Sequence, residues 1–200
     1  MDAPDTSPPD GRRRRSENSR NRIVAAMIEL VAEGRITPSA EEVASRAGVG
    51  LRTVFRHFND MESLYAALTS SLAEHYEMWL IPFDSKDWQG QLVEAIERRT
   101  TTYERLLPFK RAGDAHRHTS PAIQAEHARI LAMMRHRLRS FLPPAITDDD
   151  VCFETIDLML SFEAWQRLRD EQGLPIDQAR RIVMREVLRL VGAETGKIAD

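Results

Sequence analysis

The sequence predicts an all-α protein, and three observations carry that reading. Apolar residues recur at helical spacing almost throughout, beginning with Ile23, Ala26, Met27, Leu30 and Val31. No stretch alternates apolar and polar residues with the period of two that a half-buried strand requires. The interruptions are residues that stop and start helices, such as Gly34, Gly48, Pro82, Pro121 and the Pro143-Pro144 pair. With 200 residues and a 42% hydrophobic share, the chain can bury one medium core, or a small domain joined to a larger one.

Residues 1–19 are rich in Pro, Asp, Ser and Arg and bury too little apolar surface to order themselves, so they read as a disordered, Arg-rich arm. The first helix follows, its stripe ending at Gly34 as a C-terminal cap. Ser39 then opens a second helix, with Glu42 three residues on completing a capping box, and the helix runs to about Ala47. Gly48 accommodates a left-handed turn, and a third helix starts near Leu51. Asn59 or Asp60 caps a fourth, which the Leu64, Leu68, Leu72, Tyr76 series carries to Leu80 before Ile81-Pro82 closes it. Further helices are expected over 86–107, 108–117, 121–142, 148–172 and 176–192. The expected domains are the arm (1–19), a three-helix unit (20–66) and a larger helical bundle (67–200).

Charge separates these parts. Residues 11–58 hold ten Arg, no Lys and five Glu, a net +5, which leaves −8 for the remainder of a chain whose total is −3. A basic quarter on an acidic body suggests two functions in one chain. The single cysteine, Cys152, sits in the apolar run VCFETIDLML and reads as a packed side chain. It excludes an internal disulfide and a thiolate metal cluster. His116, His118, His127 and His136 lack the tight spacing of a metal site and read as solvated, so no metal or cofactor is expected. MDAPDTSPPDGRRRR lacks the apolar segment of a signal peptide, and no apolar run is long enough to span a bilayer. A cytoplasmic protein with no membrane partner is the expectation. No GxSxG, phosphate-cradling glycine loop or HExxH occurs, so no catalytic residues are assigned and an enzyme is not expected.

The segment AEEVASRAGVGLRTVFRHF, residues 40–58, carries the sharpest signal. Val43, Ala47, Val49, Val54 and Phe58 can point inward and tie three helices together, and Gly48 sets the third at a steep angle to the second. That third helix is barely two turns long. It begins at Gly50, Leu51, Arg52 and Thr53, and its free side carries Arg52, Phe55 and Arg56. Such a helix suits a DNA major groove, where arginine forms paired bonds to guanine. Thr53, His57 and the start of the second helix at Ser39 suit phosphates. Arg12, Arg13, Arg14 and Arg15, just upstream, are placed to follow the phosphate backbone or to enter the minor groove.

Residues 22–68 resemble the DNA-binding domain of the tetracycline-repressor (TetR) family. The likeness lies in the first-helix stripe ending at Glu33-Gly34, in EEVASRAGV, in RTVFRHF and in the polar turn before Leu64. It spans about a quarter of the chain, and FEAWQRLRDEQGLP near the end adds to it. The resemblance implies a homodimer that grips a palindromic double-stranded DNA operator and is released by a small molecule held in the larger domain. It places Thr53 and His57 at usual phosphate contacts, and Gly50, Leu51, Arg52 and Arg56 at positions that set base preference. Two positions depart from the pattern. Phe55 stands where Tyr is common and Met61 where a Lys commonly touches phosphate. These departures keep open a second reading, a helical small-molecule or protein-interaction module whose DNA binding has lapsed. Activation in place of repression also stays open.

In the larger domain, Trp79, Phe83, Trp88, Tyr103 and Phe109 are candidates to line a cavity for an apolar ligand, with Met133, Met134, Phe153 and Met159. The segment VCFETIDLMLSFEAW is apolar on more than one side, which calls for a second partner such as another copy of the chain. Phe162, Trp165 and Leu168, with Val183, Val187, Leu190 and Val191 of the last helix, are the candidate dimer contacts. Arg135, Arg137 and Arg139 read as a solvated face.

Overall fold

The computed structural model of the chain describes residues 10–72, 79–118 and 120–196. Those residues form helices and connecting turns, with no strand among them. The helices are α1 (Asp10–Ala32), α2 (Ala40–Ala47), α3 (Leu51–His57), α4 (Met61–Ser71), α5 (Trp88–Arg117) and α6 (Pro121–Arg139). They continue with α7 (Pro144–Thr147), α8 (Asp150–Met159), α9 (Phe162–Gln166) and α10 (Ile176–Gly196). A single π-helical turn, Arg167–Glu171, extends α9.

The chain forms two compact units. The first takes the residues up to Ser71 together with Pro108–Gln124, and the second takes Leu72–Leu107 with the residues from Ala125 onward. The larger domain expected from 67 onward is therefore not one continuous stretch.

In the first unit the stripe foreseen on α1 is the core. Ile23 and Met27 are fully buried, and Val43 of α2, Val54 of α3 and Leu64 of α4 close over them. Burying one such side chain stabilises a fold by roughly 1.5–3 kcal/mol. Tyr65 is buried too. Its hydroxyl donates to the Ile36 carbonyl at 3.2 Å, and burial pushes its pKa up to about 12. Its ring stacks on His116 with centroids 3.8 Å apart. His116, expected to be solvated, is thus half-buried, and that burial lowers its pKa. His127 is half-buried as well, whereas His118 and His136 are exposed.

The arm expected over 1–19 is helical from Asp10 onward; residues 1–9 lie outside the described residues. Nucleating a helix is the costly step, and the buried part of α1 supplies it. Arg13 then pairs with Glu17 four residues on at 3.2 Å, and the Ser19 hydroxyl donates to the Arg15 carbonyl, so the polar turns propagate.

In the second unit α10 turns inward Ala179, Val183, Val187 and Val191, four residues apart, against a core that includes Leu92, Ile96, Phe153 and Ile156. Pro108 was expected to divide two helices but lies inside α5, with buried Leu106, Leu107 and Ala112 near it. Proline removes one helical bond and crowds the carbonyl four residues earlier, a cost that such packing offsets.

The long helix expected over 148–172 is broken instead. Asp149 caps α8 by accepting the Cys152 N–H at 3.0 Å, and Ser161 caps α9 by accepting the Ala164 N–H at 3.1 Å. At the break, the Leu160 carbonyl takes hydrogen bonds from the Tyr103 hydroxyl at 2.8 Å and Arg99 Nη1 at 3.3 Å. Side chains from α5 thus hold a backbone oxygen freed by the interruption. Downstream, Glu104 accepts from Trp165 Nε1 at 3.1 Å and from both sides of the Arg169 guanidinium, at 2.9 and 2.8 Å. Those bonds hold its carboxyl below the usual range.

The fourth helix was expected to reach Leu80. Its described part ends at Ser71, the Tyr76 position lies outside the described residues, and Trp79 and Leu80 stand in a turn. Cys152 is buried, as its setting suggested.

Candidate nucleic-acid interface

The reading head is built from the turn outward. Ser39 Oγ accepts the Glu42 N–H at 3.2 Å, and the Ser39 N–H donates to Glu42 Oε2 at 2.8 Å, the reciprocal box that starts α2. Val43, Ala44 and Ala47 are buried, so α2 is fixed by both its cap and its inner face. Gly48 ends it at φ 62°, ψ 42°, the left-handed region that β-carbons disfavour. Gly50 starts α3 in extended geometry, with no side-chain cap. Val54 and Phe58 anchor α3 inward while Val49 is half-buried.

With those residues turned in, geometry turns the others out. Arg52 and Arg56 are exposed, and so are Leu51 and Phe55, at 38% and 45% of their full surface. Thr53 is half-buried. Neither Arg52 nor Arg56 has an ion-pair partner among the described residues.

The other arginines of the basic quarter do different work. Arg46 forms a two-pronged bridge to Glu33 at 2.8 Å and also reaches Glu29 at 3.3 Å, holding Glu33 below its ordinary pKa. Arg35 lies 3.7 Å from Glu42, and Arg13 pairs with Glu17. Arg22 donates to the carbonyls of Ala47 and Gly48. Unneutralised charge therefore gathers around α3, where Arg20, exposed on α1, adds to it by stacking over the Phe58 ring at 5.0 Å.

Sequence reasoning missed Arg20 and Arg22. Both belong to the counted basic quarter, but only packing places one beside α3 and the other under the turn. Arg13, Arg14 and Arg15 are exposed on the first turns of α1, and the side chain of Arg12 lies outside what is described.

His57 departs from expectation. Its Nε2 is buried without a hydrogen-bond partner among the described residues. Burial and the nearby Arg56 and Arg20 lower its pKa. At the start of α4 it is Asp60, not Asn59, that caps: its carboxylate accepts the Ser63 N–H at 2.7 Å. Met61 is half-buried there.

The candidate ligand residues of the second unit are only partly gathered. Trp79, Phe83, Met133 and Met134 line one cavity, together with Phe141 and three arginines, Arg98, Arg99 and Arg137. Tyr103 is core, its ring edge-on to Trp79 at 5.6 Å and to Phe162 at 5.0 Å. Phe153 is fully buried with Arg139 stacked on it at 3.7 Å, and Met159 and Trp88 are half-buried outside the cavity lining. Phe109 belongs to the first unit.

The arginines read as a solvated face are engaged. Arg135 bridges Glu154 at 2.5 Å and Asp157 at 2.6 Å, while Arg137 lies over Phe83 at 4.3 Å. Among the candidate dimer contacts, Phe162, Trp165, Val183, Val187 and Val191 are buried inside their own protomer, and Leu168 and Leu190 are half-buried. Exposed apolar side chains in this part of the chain include Val151 (79%) and Leu158 (64%) on α8 and Ile176 (37%) and Leu188 (36%) on α10.

A capped helix, a tight left-handed turn and a short helix with an uncovered basic face define a helix-turn-helix DNA-binding unit on a helical body. Residues 23–68 match the model of bacterial regulatory proteins of the tetR family, so this stretch is similar to the DNA-binding domain of those transcriptional regulators.

Its overall fold is that of solved regulators. A transcriptional regulator from Rhodococcus sp. RHA1 is 17% identical, with a TM-score of 0.67, over 88% of this chain and 97% of that one. A TetR family transcription regulator from Marinobacter aquaeolei VT8 is 20% identical, with a TM-score of 0.56, over 86% and 97%. A TetR transcriptional regulator from Rhodococcus sp. RHA1 is 17% identical, with a TM-score of 0.56, over 88% and 96%. At these identities the likeness is one of fold. A comparison with curated proteins finds no match. No helix among the described residues is long and apolar enough to cross a membrane, and no cluster of metal-ligating side chains occurs among them.

Proposed function

We propose that the chain is a ligand-responsive transcriptional repressor that binds a palindromic operator as a homodimer in the cytoplasm and leaves it when the second unit takes up a small molecule. The observation that carries this is the uncovered, unpaired Arg52 and Arg56 on the outer side of a seven-residue helix whose inner side is locked by Val54. Buried phosphate or base contacts need such unneutralised donors, and a structural helix pair does not. Arg52 and Arg56 read base edges, with Leu51 and Phe55 against thymine methyls. Thr53, the start of α2 at Ser39 and the arginines that open α1 contact the backbone.

Two such heads must sit one helical turn of DNA apart, about 34 Å, to grip a palindrome. Val151, Leu158 and Leu188 are the surface proposed for the second copy, because exposed aliphatics on two helices suit a self-complementary interface. A small molecule shifts the heads off that spacing by no more than its differential affinity for the two forms.

Selection from random duplexes tests the reading. Enrichment of an inverted repeat, bound by two protomers, is expected; no enrichment even at low salt favours the lapsed-head alternative.

A further inference from the structure

We infer that the cavity of the second unit takes an organic anion, a carboxylate on an aromatic or alkyl body, with Arg99 and Arg137 receiving the charge. This rests on the reading above that the second unit holds a small molecule, and it replaces the simple apolar ligand expected from the sequence.

Arg99 is the first observation. It is 5% exposed, yet no carboxylate among the described residues pairs with it. Among the described residues its guanidinium donates only to backbone carbonyls, Met134 at 2.9 Å and Leu160 at 3.3 Å. A guanidinium has five N–H donors and a full charge that two carbonyls do not neutralise, and a cation so buried ordinarily has a counterion. Arg137 is the second observation. Among the described residues its Nε is buried with no acceptor, and its Nη2 reaches only the Ile81 carbonyl, at 3.2 Å. Buried donors of this kind are satisfied in almost all folds, so one left open at a cavity wall marks a missing acceptor.

Arg98, the third arginine on this wall, has a carboxylate partner, Glu94 at 3.0 Å. Glu94 is itself tied to the N–H groups of Asp84 and Ser85, at 3.1 and 2.7 Å. The wall thus holds an excess of positive charge, and the rest of it is apolar, from Trp79, Phe83, Met133 and Phe141. A neutral ligand leaves the excess unanswered and a cation adds to it. A carboxylate matches the arginine fork, and its hydrocarbon matches the aromatic wall.

The void is small, about 20 Å³, room for about one water. A ligand must therefore take the place of a side chain. Phe83 is the one positioned for exchange, because its ring is half-buried and held by the same cations: Arg137 at 4.3 Å, Arg98 at 5.0 Å, with Phe141 edge-on at 5.0 Å. Carboxylate binding and release of Phe83 from those guanidinium groups are one event.

The test uses the full chain, with thermal melting and calorimetric titration at pH 7. Benzoate, naphthoate, octanoate and dodecanoate are compared with the amides and amines of the same skeletons. At least one carboxylate is expected to raise the Tm and to bind about tenfold or more tighter than its amide. Arg137→Gln is expected to remove that preference while leaving the ligand-free melt within a few degrees. Arg99→Lys keeps a charge but loses the fork, and serves as the second variant, since Arg99 also braces the α8–α9 break.

Equal binding of acid and amide, a preference for the amine, a preference that survives Arg137→Gln, or no carboxylate binding at all overturns the inference. If amides or amines bind and release the operator, the small-molecule reading stands and only the anion assignment falls. If a broad panel of every charge fails while operator binding persists, both fall.

Discussion

Arg22 of α1 lies directly beneath Gly48: its guanidinium donates to the carbonyls of Ala47 and Gly48, and a β-carbon built on Gly48 meets Arg22 Nη2 at 2.9 Å. The turn that aims α3 is therefore set twice, by a backbone angle only glycine holds easily and by a cation drawn up from α1. Gly48→Ala is expected to cost roughly 1–2 kcal/mol through its positive φ, and Arg22→Ala about 1 kcal/mol through the lost bonds. The flexible Arg22 tip can yield, so the double variant should cost less than the two singles together. Denaturant unfolding of all three measures this, and strict additivity counts against the coupling.

Arg52 and Arg56 are exposed and carry no ion pair among the described residues, so their loss should leave the fold intact. Arg52→Ala and Arg56→Ala are each expected to weaken a selected operator by about 1–3 kcal/mol, roughly 5–150-fold, and to relax preference at one base position. Melting should move by no more than about 0.5 kcal/mol. Fluorescence anisotropy with matched and mismatched duplexes reads the effect, and unchanged affinity in the double variant removes the groove assignment.

Phe55 is 45% exposed on the outer side of α3, and Met61 is half-buried in the first turn of α4. Phe55→Tyr restores a hydroxyl and Met61→Lys a cation. Each is expected to tighten binding by about 1 kcal/mol. Only Met61→Lys should steepen the salt dependence, by about one phosphate's worth. A Met61→Lys slope identical to that of the parent places residue 61 away from the backbone.

His57 and His116 both have pKa values lowered by burial. The neutral ring is the folded form, and the unfolded chain takes up protons first as pH falls through its ordinary value near 6.5. Their contribution to stability is therefore full above about pH 6.5 and is lost as pH falls from there through the lower folded value. Melting temperatures between pH 8 and pH 5 should fall on acidification, and His57→Gln should flatten that dependence. An unaltered slope in this variant argues against a buried neutral ring.

Val187 is fully buried on the inner face of α10, whereas Val151 and Leu158 are open on α8. Val187→Asp is expected to unfold the second unit by burying an unpaired charge. Val151→Asp with Leu158→Asp should leave the fold intact and yield monomers in sedimentation. If the α8 pair stays dimeric, the interface lies elsewhere.

Much of the fold was legible because it is local. The stripe from Ile23 to Val31, the Ser39–Glu42 box and the glycine at position 48 are short-range patterns with one stable solution each, and they also fix which side of α3 is free. Within the arm, the stretch from Asp10 onward is helical where composition suggested disorder, because composition ignores that a helix already nucleated at Ile23 extends through Arg13 and Glu17 at little cost. Spacing left the candidate dimer contacts open for a related reason. Val183, Val187 and Val191 form a seam by spacing, but spacing does not say whether the seam meets the protein's own core or another copy.

By itself, then, the sequence determined an all-helical chain with a capped helix-turn-helix head and its basic quarter, since helical periodicity, caps and turn residues act between near neighbours. Tertiary structure alone decided which arginines remain unpaired: Arg46 finds Glu33 across 13 positions, while Arg52 and Arg56 find none. It also brought Arg99, Arg137 and Phe83 to one wall from distant parts of the chain. The physical reason is that charge neutralisation and burial depend on distances in space, which hydrophobic spacing along the chain does not encode.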